Sequence, residues 1–152
     1  MAMRSEAVES LRAIPLFQKI PDEDLVALAG VVIERRFPKS ATIVEEGLPG
    51  DYMYVIREGR VKVTKASDDG REKILDILET GNFFGDMALF DRAPRSASVK
   101  TLQASRLLAL SRRDVLAVLQ RSPDFAMSII QVLIQRLRET GEQASAMSFQ
   151  GV

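Results

Sequence analysis

Hydrophobic and polar positions change their period twice along this chain. At the start, Val8, Leu11 and Ile14 recur at helical spacing, with Ser5 as a candidate cap and Pro15 as a stop. Pro21 then opens a second short helix, PDEDLVALAG, with acids in its first turn and Gly30 at its end. From Val31 to Leu110 the pattern shortens to the alternation of strands. The segments VVIERRF, ATIVEE, YMYVIRE, RVKVTKA, REKILDIL, ASVKTL and SRLLALS are rich in β-branched residues. Turn signals separate them: Pro38-Lys39-Ser40, Leu48-Pro49-Gly50-Asp51, Glu58-Gly59, Asp68-Asp69-Gly70 and Gly81-Asn82. The Asp69-Gly70 pair suits a tight hairpin, because glycine accepts positive φ. Strands at this spacing predict an antiparallel jelly roll. The helical period then returns. Ser111 is placed to cap SRRDVLAVLQR, and Ser122 with Pro123 to start a long helix. The fold class expected is therefore α+β: a β jelly-roll barrel at 31–110, N-terminal helices at 1–30 and C-terminal helices at 111–147.

The long helix carries a seam. Ala126, Ile130, Leu133, Leu137, Thr140, Ala144 and Met147 are separated by 4, 3, 4, 3, 4 and 3 residues. That is a heptad pattern, which predicts a left-handed coiled coil. Ile129, Val132 and Ile134 widen the apolar face toward the chain's own barrel. A helix from Asp124 to Met147 would reach about 36 Å, which outruns a small barrel. A homodimer through residues 124–147 is the expectation; one broad face packed within a monomer is the alternative. Thr140 is the polar member of the seam, a position that commonly fixes register.

Composition narrows the chemistry. With 152 residues, 46% hydrophobic and 28% charged, the chain suits a single domain with a true core. The apolar runs are too short to span a membrane, and the N-terminus lacks a signal core. A cytoplasmic location without membrane contact is expected. The 21 acids balance the 21 bases, so the surface has no basic excess to hold nucleic acid. Cysteine and histidine are both absent. Disulfides, thiolate nucleophiles, iron–sulfur clusters, histidine-ligated haem and nearly every zinc site drop out, as does the commonest general base. Cupins, which share an all-β appearance, generally need histidine ligands and drop out too. Carboxylate-only metal or acid/base sites stay open, but no paired-carboxylate motif stands out. The expectation is a metal-free binding module and not an enzyme.

One stretch carries a binding chemistry: Phe83 to Val99, FFGDMALFDRAPRSASV. A carboxylate follows a glycine at the start of a short apolar turn, where the N–H groups of Gly85 and Asp86 can face an anion. The Asp86 carboxylate can accept from a hydroxyl. Ten residues past Gly85, the Arg95 fork can grip phosphate oxygens, with Ser96 adding a hydroxyl. Ala97 leaves room for a ligand against the backbone. Such a set suits a small sugar phosphate. The alternative is a surface turn in which Arg95 pairs with Asp86 or Asp91.

The stretch resembles the phosphate-binding cassette of cyclic-nucleotide-binding domains, F-G-E-x-A-L followed by P-R-x-A. The resemblance implies a ligand-binding set of Phe84, Gly85, Asp86, Met87, Ala88, Arg95, Ser96 and Ala97. Gly85 and Asp86 would meet the ribose, and Arg95 and Ser96 the cyclic phosphate. Asp86 stands where the family has glutamate, which shortens its reach by about 1.5 Å. The hydrogen bond to the ribose would then lengthen, pass through water, or draw the backbone closer.

From about Ile14 onward the chain resembles the sensor half of Crp/Fnr-family transcription regulators. YVIREGRVKV and DDGREKILDIL are similar to the strands before the cassette, and SRRDVLAVLQRSPDFA to the helices after it. RLRETGEQ resembles the dimer-helix segment whose threonine meets the adenine amino group, which implies Thr140 as the purine contact. Gly141 stands where one family member has a serine that reaches across to the opposing subunit. The family continues past this helix through a hinge into a helix-turn-helix domain. The chain, 1–152, is expected to be the cyclic-nucleotide-binding domain alone, with DNA reached only through a domain outside it. The implied function is a cAMP sensor, with cGMP as the second candidate, that biases an attached DNA-binding domain. A stand-alone nucleotide binder, or a dimerisation module with a degenerate pocket, is the alternative. A channel or kinase domain comes third, since those usually follow the barrel with shorter helices.

Overall fold

The computed structural model describes the backbone of residues 2–151, and the side chains of residues 7–139 and Gly141. Helix α1 spans Ala2–Arg12, so Ser5 lies within it and does not cap it. Alanine and methionine are good helix formers, and the helix extends through them. A 3₁₀ turn, Pro15–Phe17, leads to α2, Asp22–Val31, whose first turn holds Asp22, Glu23 and Asp24. Gly30 is the penultimate residue of α2, at its end as expected; Val32 turns the chain out in an extended conformation (φ −67°, ψ 140°). Arg12 binds these pieces together. Its guanidinium donates to the carbonyls of Phe17 (3.3 Å), Gln18 (3.0 Å) and Ile20 (2.7 Å) and pairs with Asp22.

Eight strands follow: β1 Ile33–Phe37, β2 Thr42–Val44, β3 Tyr52–Glu58, β4 Arg60–Ala66, β5 Glu72–Glu79, β6 Phe83–Phe84, β7 Ser98–Thr101 and β8 Ser105–Ser111. They form two four-stranded antiparallel sheets, ordered β1-β8-β3-β6 and β2-β7-β4-β5, a jelly roll. The β4–β5 hairpin turns through Ser67–Arg71, with Gly70 at φ 81°. Strand β6 is the one the alternation does not predict, because two residues show no period.

Alternation within β3 and β8 divides the interior. Tyr54, Ile56, Leu107 and Ala109 point into the roll and meet Val44, Val61, Phe84 and Val99. Met53, Val55, Leu108 and Leu110 point the other way, into a second core with Leu11, Phe17, Leu25, Leu28, Val115 and Phe125. Strand β3 is thus buried on both faces, which is why YMYVI reads as a nearly unbroken apolar run. Even β6 is split, with Phe83 in the helical core and Phe84 in the roll.

Helices α4 (Arg112–Arg121) and α5 (Pro123–Gly151) close the helical side. The Ser111 hydroxyl accepts from the Asp114 N–H, and the Ser122 hydroxyl from the Phe125 N–H, so both predicted caps form. Phe125 stacks on Phe17 at 5.8 Å and fixes α5 against the 3₁₀ turn. The face of α5 that packs inward is Phe125, Ile129, Val132 and Leu133. Its exposed apolar row is Met127, Ile130, Ile134 and Leu137. Two seam expectations shift accordingly: Leu133 turns to the chain's own core, and Ile134 stands with the exposed row. Thr140, Ala144 and Met147 have side chains outside the described residues. Among the described residues, no helix is long and apolar enough to cross a membrane.

Candidate functional site

Local backbone chemistry shapes the site first. Gly85 precedes α3 (Asp86–Asp91) at φ 85°, and a Cβ there would lie 2.7 Å from Arg95 Nη1 and 3.0 Å from the Tyr52 carbonyl. Only glycine fits both the conformation and the space. Helix α3 ends at Arg92, which adopts the left-handed conformation (φ 57°). The Asp91 carboxylate then accepts from the Ala93 N–H and starts the return toward β7.

Arg95 is pinned at both ends. Its N–H donates to the Leu48 carbonyl (2.9 Å), and its own carbonyl accepts from the Gly47 N–H (2.9 Å). Arg95 as a whole is only 7% exposed. It donates from Nη1 to the Gly85 carbonyl (2.9 Å) and from Nη2 to the Tyr52 carbonyl (2.7 Å). A Cβ on Gly50 would lie 2.1 Å from its central carbon, so that glycine is the shelf on which the group rests. Burial pulls the Arg95 pKa below the ordinary arginine value, while Tyr54, Asp51 and Asp86 oppose the shift. A guanidinium has five N–H donors and the two carbonyls take two of them, so the cation has capacity left for an anion. It forms no ion pair with Asp86 or Asp91 among the described residues, which sets aside the surface-turn alternative.

Asp86 has a different partner from the one its neighbourhood suggests. Its side chain is 2% exposed, and both oxygens accept from Arg136 Nη1 on α5 at 3.3 Å. Arg136 also donates from Nη2 to the Phe83 carbonyl (3.0 Å) and lies 4.7 Å over the Phe83 ring. A hydroxyl that approaches Asp86 must therefore share it with α5.

Around these groups is a cavity of about 260 Å³. Phe84, Gly85, Asp86, Met87, Ala88, Arg95, Ser96 and Ala97 all line it, so eight of the nine predicted site residues come together. The ninth, Thr140, has its side chain outside the described residues. Phe84 is held by a stack on Tyr54 at 5.3 Å, Ala88 is buried, and Met87 is exposed at the rim. The rest of the wall is mostly aliphatic: Val44, Val63, Leu78 and Val99. Two charged lining residues escaped the sequence reading, Arg136 and Asp76. Arg136 is four residues before Thr140, hence on the same helix face, a signal that was present in the sequence. Asp76 interrupts the apolar run ILDIL. The arrangement can hold a compact anion on a buried cation, accept from a hydroxyl beside it, and cover an apolar moiety.

The family model of the cyclic nucleotide-binding domain matches residues 34–122. The CRP-like cAMP-activated global transcriptional regulator of Mycobacterium tuberculosis is 31% identical over 144 residues, 95% of this chain and 64% of that protein. The cyclic nucleotide-gated potassium channel of Rhizobium etli is 37% identical over 124 residues, 82% of this chain and 33% of the channel. The crystal structure of Thermus thermophilus catabolite activator protein superposes with a TM-score of 0.80 and 34% identity, over 89% of this chain and 63% of that one. The chain thus spans about 64% of the length of the curated regulator it matches.

Proposed function

We propose a sensing role from one premise: this chain belongs to the cyclic nucleotide-binding domain family. In that role it is the ligand-binding part of a CRP-like transcriptional regulator, with cAMP ahead of cGMP as ligand. The observation that carries the reading is the buried Arg95 guanidinium on the wall of the cavity, held by two carbonyls. A cation so placed has already lost much of its hydration, and an anionic ligand restores charge balance where water is scarce.

The cyclic phosphate would take Arg95 and the Ser96 hydroxyl. The ribose hydroxyl would take Asp86, in competition with Arg136. That competition supplies the coupling. A ligand that draws on Asp86 weakens the hold of the cassette on α5, so it favours one placement of the helix over another. Thr140, one turn past Arg136, would meet the purine. The exposed row Met127, Ile130, Ile134 and Leu137, spaced 3, 4 and 3 apart, supports a homodimer through α5. The helix would pass the change to an attached helix-turn-helix domain that contacts DNA. The protein would act in the cytoplasm and catalyse nothing.

Calorimetry of the purified chain with cAMP and cGMP tests this. Arg95→Ala should cost about 1.5–3 kcal/mol of binding, roughly 10- to 150-fold. Unchanged affinity would refute the assignment. A second reading, a dimerisation module with a degenerate pocket, draws support from the shortened acid at position 86 and its engagement by Arg136. Thermal unfolding separates the two. Ligand at 100 times Kd adds about 2.7 kcal/mol to a working pocket and nothing to a dead one.

A further inference from the structure

Strand β5 carries a carboxylate on a wall that is otherwise aliphatic. Across the sheet, Val99 of β7 faces Val63 of β4, and Val63 faces Asp76 of β5. All three line the cavity. The row begins beside Arg95, Ser96 and Ala97, which lead directly into β7. It ends at the edge strand, two strand spacings or about 9.5 Å away. A nucleotide with its phosphate on Arg95 and its long axis along this row brings its base to Asp76. At the phosphate end a carboxylate would repel the ligand; at the far end it meets a neutral ring.

A carboxylate accepts hydrogen bonds and cannot donate them. One oxygen of Asp76 already accepts from the Ile77 N–H at 2.8 Å, and the group keeps further lone pairs. The charges that share the cavity with it are Asp86, Asp91, Arg95 and Arg136. We propose that Asp76 reads the base by accepting a hydrogen bond from an exocyclic amino group of the purine. Adenine offers such a group at position 6 and guanine at position 2, while hypoxanthine offers none. The inference rests on the cyclic-nucleotide reading and names the base edge that the same pocket prefers.

The test is calorimetric titration of the full chain with cAMP, cGMP and cyclic inosine monophosphate, repeated with Asp76→Leu and Asp76→Asn. The wild type should prefer an amino-bearing nucleotide over the inosine compound by about tenfold or more. Preference for cAMP places the contact at position 6, and preference for cGMP at position 2. Asp76→Leu should abolish the preference, with the inosine affinity unchanged or higher because a negative charge is gone. Asp76→Asn keeps an acceptor and adds a donor that suits the hypoxanthine oxygen, so it should narrow the preference in a near-isosteric background. Circular dichroism confirms that each variant is folded. Equal losses for all three nucleotides, or a preference that survives in both variants, overturns the role of Asp76. A wild type that binds the three equally does the same and leaves the sensing reading intact. A wild type that binds none overturns the sensing reading, and this inference with it.

Discussion

Replacing Arg136 with alanine tests the link between the cassette and α5. Asp86 keeps a side chain 2% exposed, whereas that of Arg136 is 40% exposed. Removing one partner of a fully buried pair costs about 3–5 kcal/mol, because the other charge stays behind without compensation. Here the cationic side already touches solvent, and Arg95 still presents a positive field to Asp86. The lower value for a charge-assisted bond applies, about 1.5–3 kcal/mol. Loss of the cation–π contact with Phe83 adds about 0.5–1 kcal/mol. The sum expected is about 2–4 kcal/mol, which lowers Tm by about 4–16 °C for a domain of this size. Urea titration and thermal melts of Arg136→Ala, Asp86→Asn and the double variant give the coupling directly. A coupling of about 1–2 kcal/mol is expected. Arg136→Lys should recover only part of it, since an ammonium cannot span both carboxylate oxygens and the Phe83 carbonyl. If Arg136→Ala costs less than about 0.5 kcal/mol and the coupling is zero, the contact is an ordinary surface pair. Asp86 would then not transmit anything to α5.

Two further outcomes are expected. Gly50→Ala should evict the Arg95 guanidinium from its shelf and weaken nucleotide binding about as much as Arg95→Ala, read by calorimetry; an unchanged affinity would show that Arg95 binds from another position. Glu34, tied to Arg106 (2.7 Å) and Arg57 (3.1 Å), is held below the usual glutamate range, first by its bond to Arg106. A depressed folded pKa means the contribution is present above the unfolded value and is lost as pH falls through the folded one. Glu34→Gln should therefore flatten the acid limb of the melting curve slightly, more at low salt than at high, and leave the neutral region nearly unchanged.

The parts of the fold that could be read from the chain are those with a local cause. Ser111 and Ser122 cap because a hydroxyl beside a helix start has a partner three residues away. The seven longer strands show themselves by runs of β-branched residues, several of them alternating, and by the turn residues between them. The cassette was legible because its glycine, acid and arginine stand at fixed separations. What the chain concealed depends on distant partners. Phe83–Phe84 pair with β3 some thirty positions earlier, and nothing in two residues announces a strand. Ser5 looked like a cap, yet good helix formers ahead of it extend α1. The choice between Leu133 and Ile134 for the inward face is set by where α5 rests on Phe17 and the roll, which no heptad count contains. Arg136 finds Asp86 across fifty positions of sequence, so that pairing emerges only after folding, although its place on the helix face of Thr140 is legible in the chain.

Strand β3 is a wall shared by two rooms. Because Tyr54 and Ile56 furnish one and Met53 and Val55 the other, neither room can be emptied while the wall stands. Any motion that loosens the roll around a guest is felt one residue away by the helices, without a relay of side chains. The slowest amides to exchange with deuterium should be those of this strand. Their rate sets the ceiling on how independently the two halves of the protein can breathe.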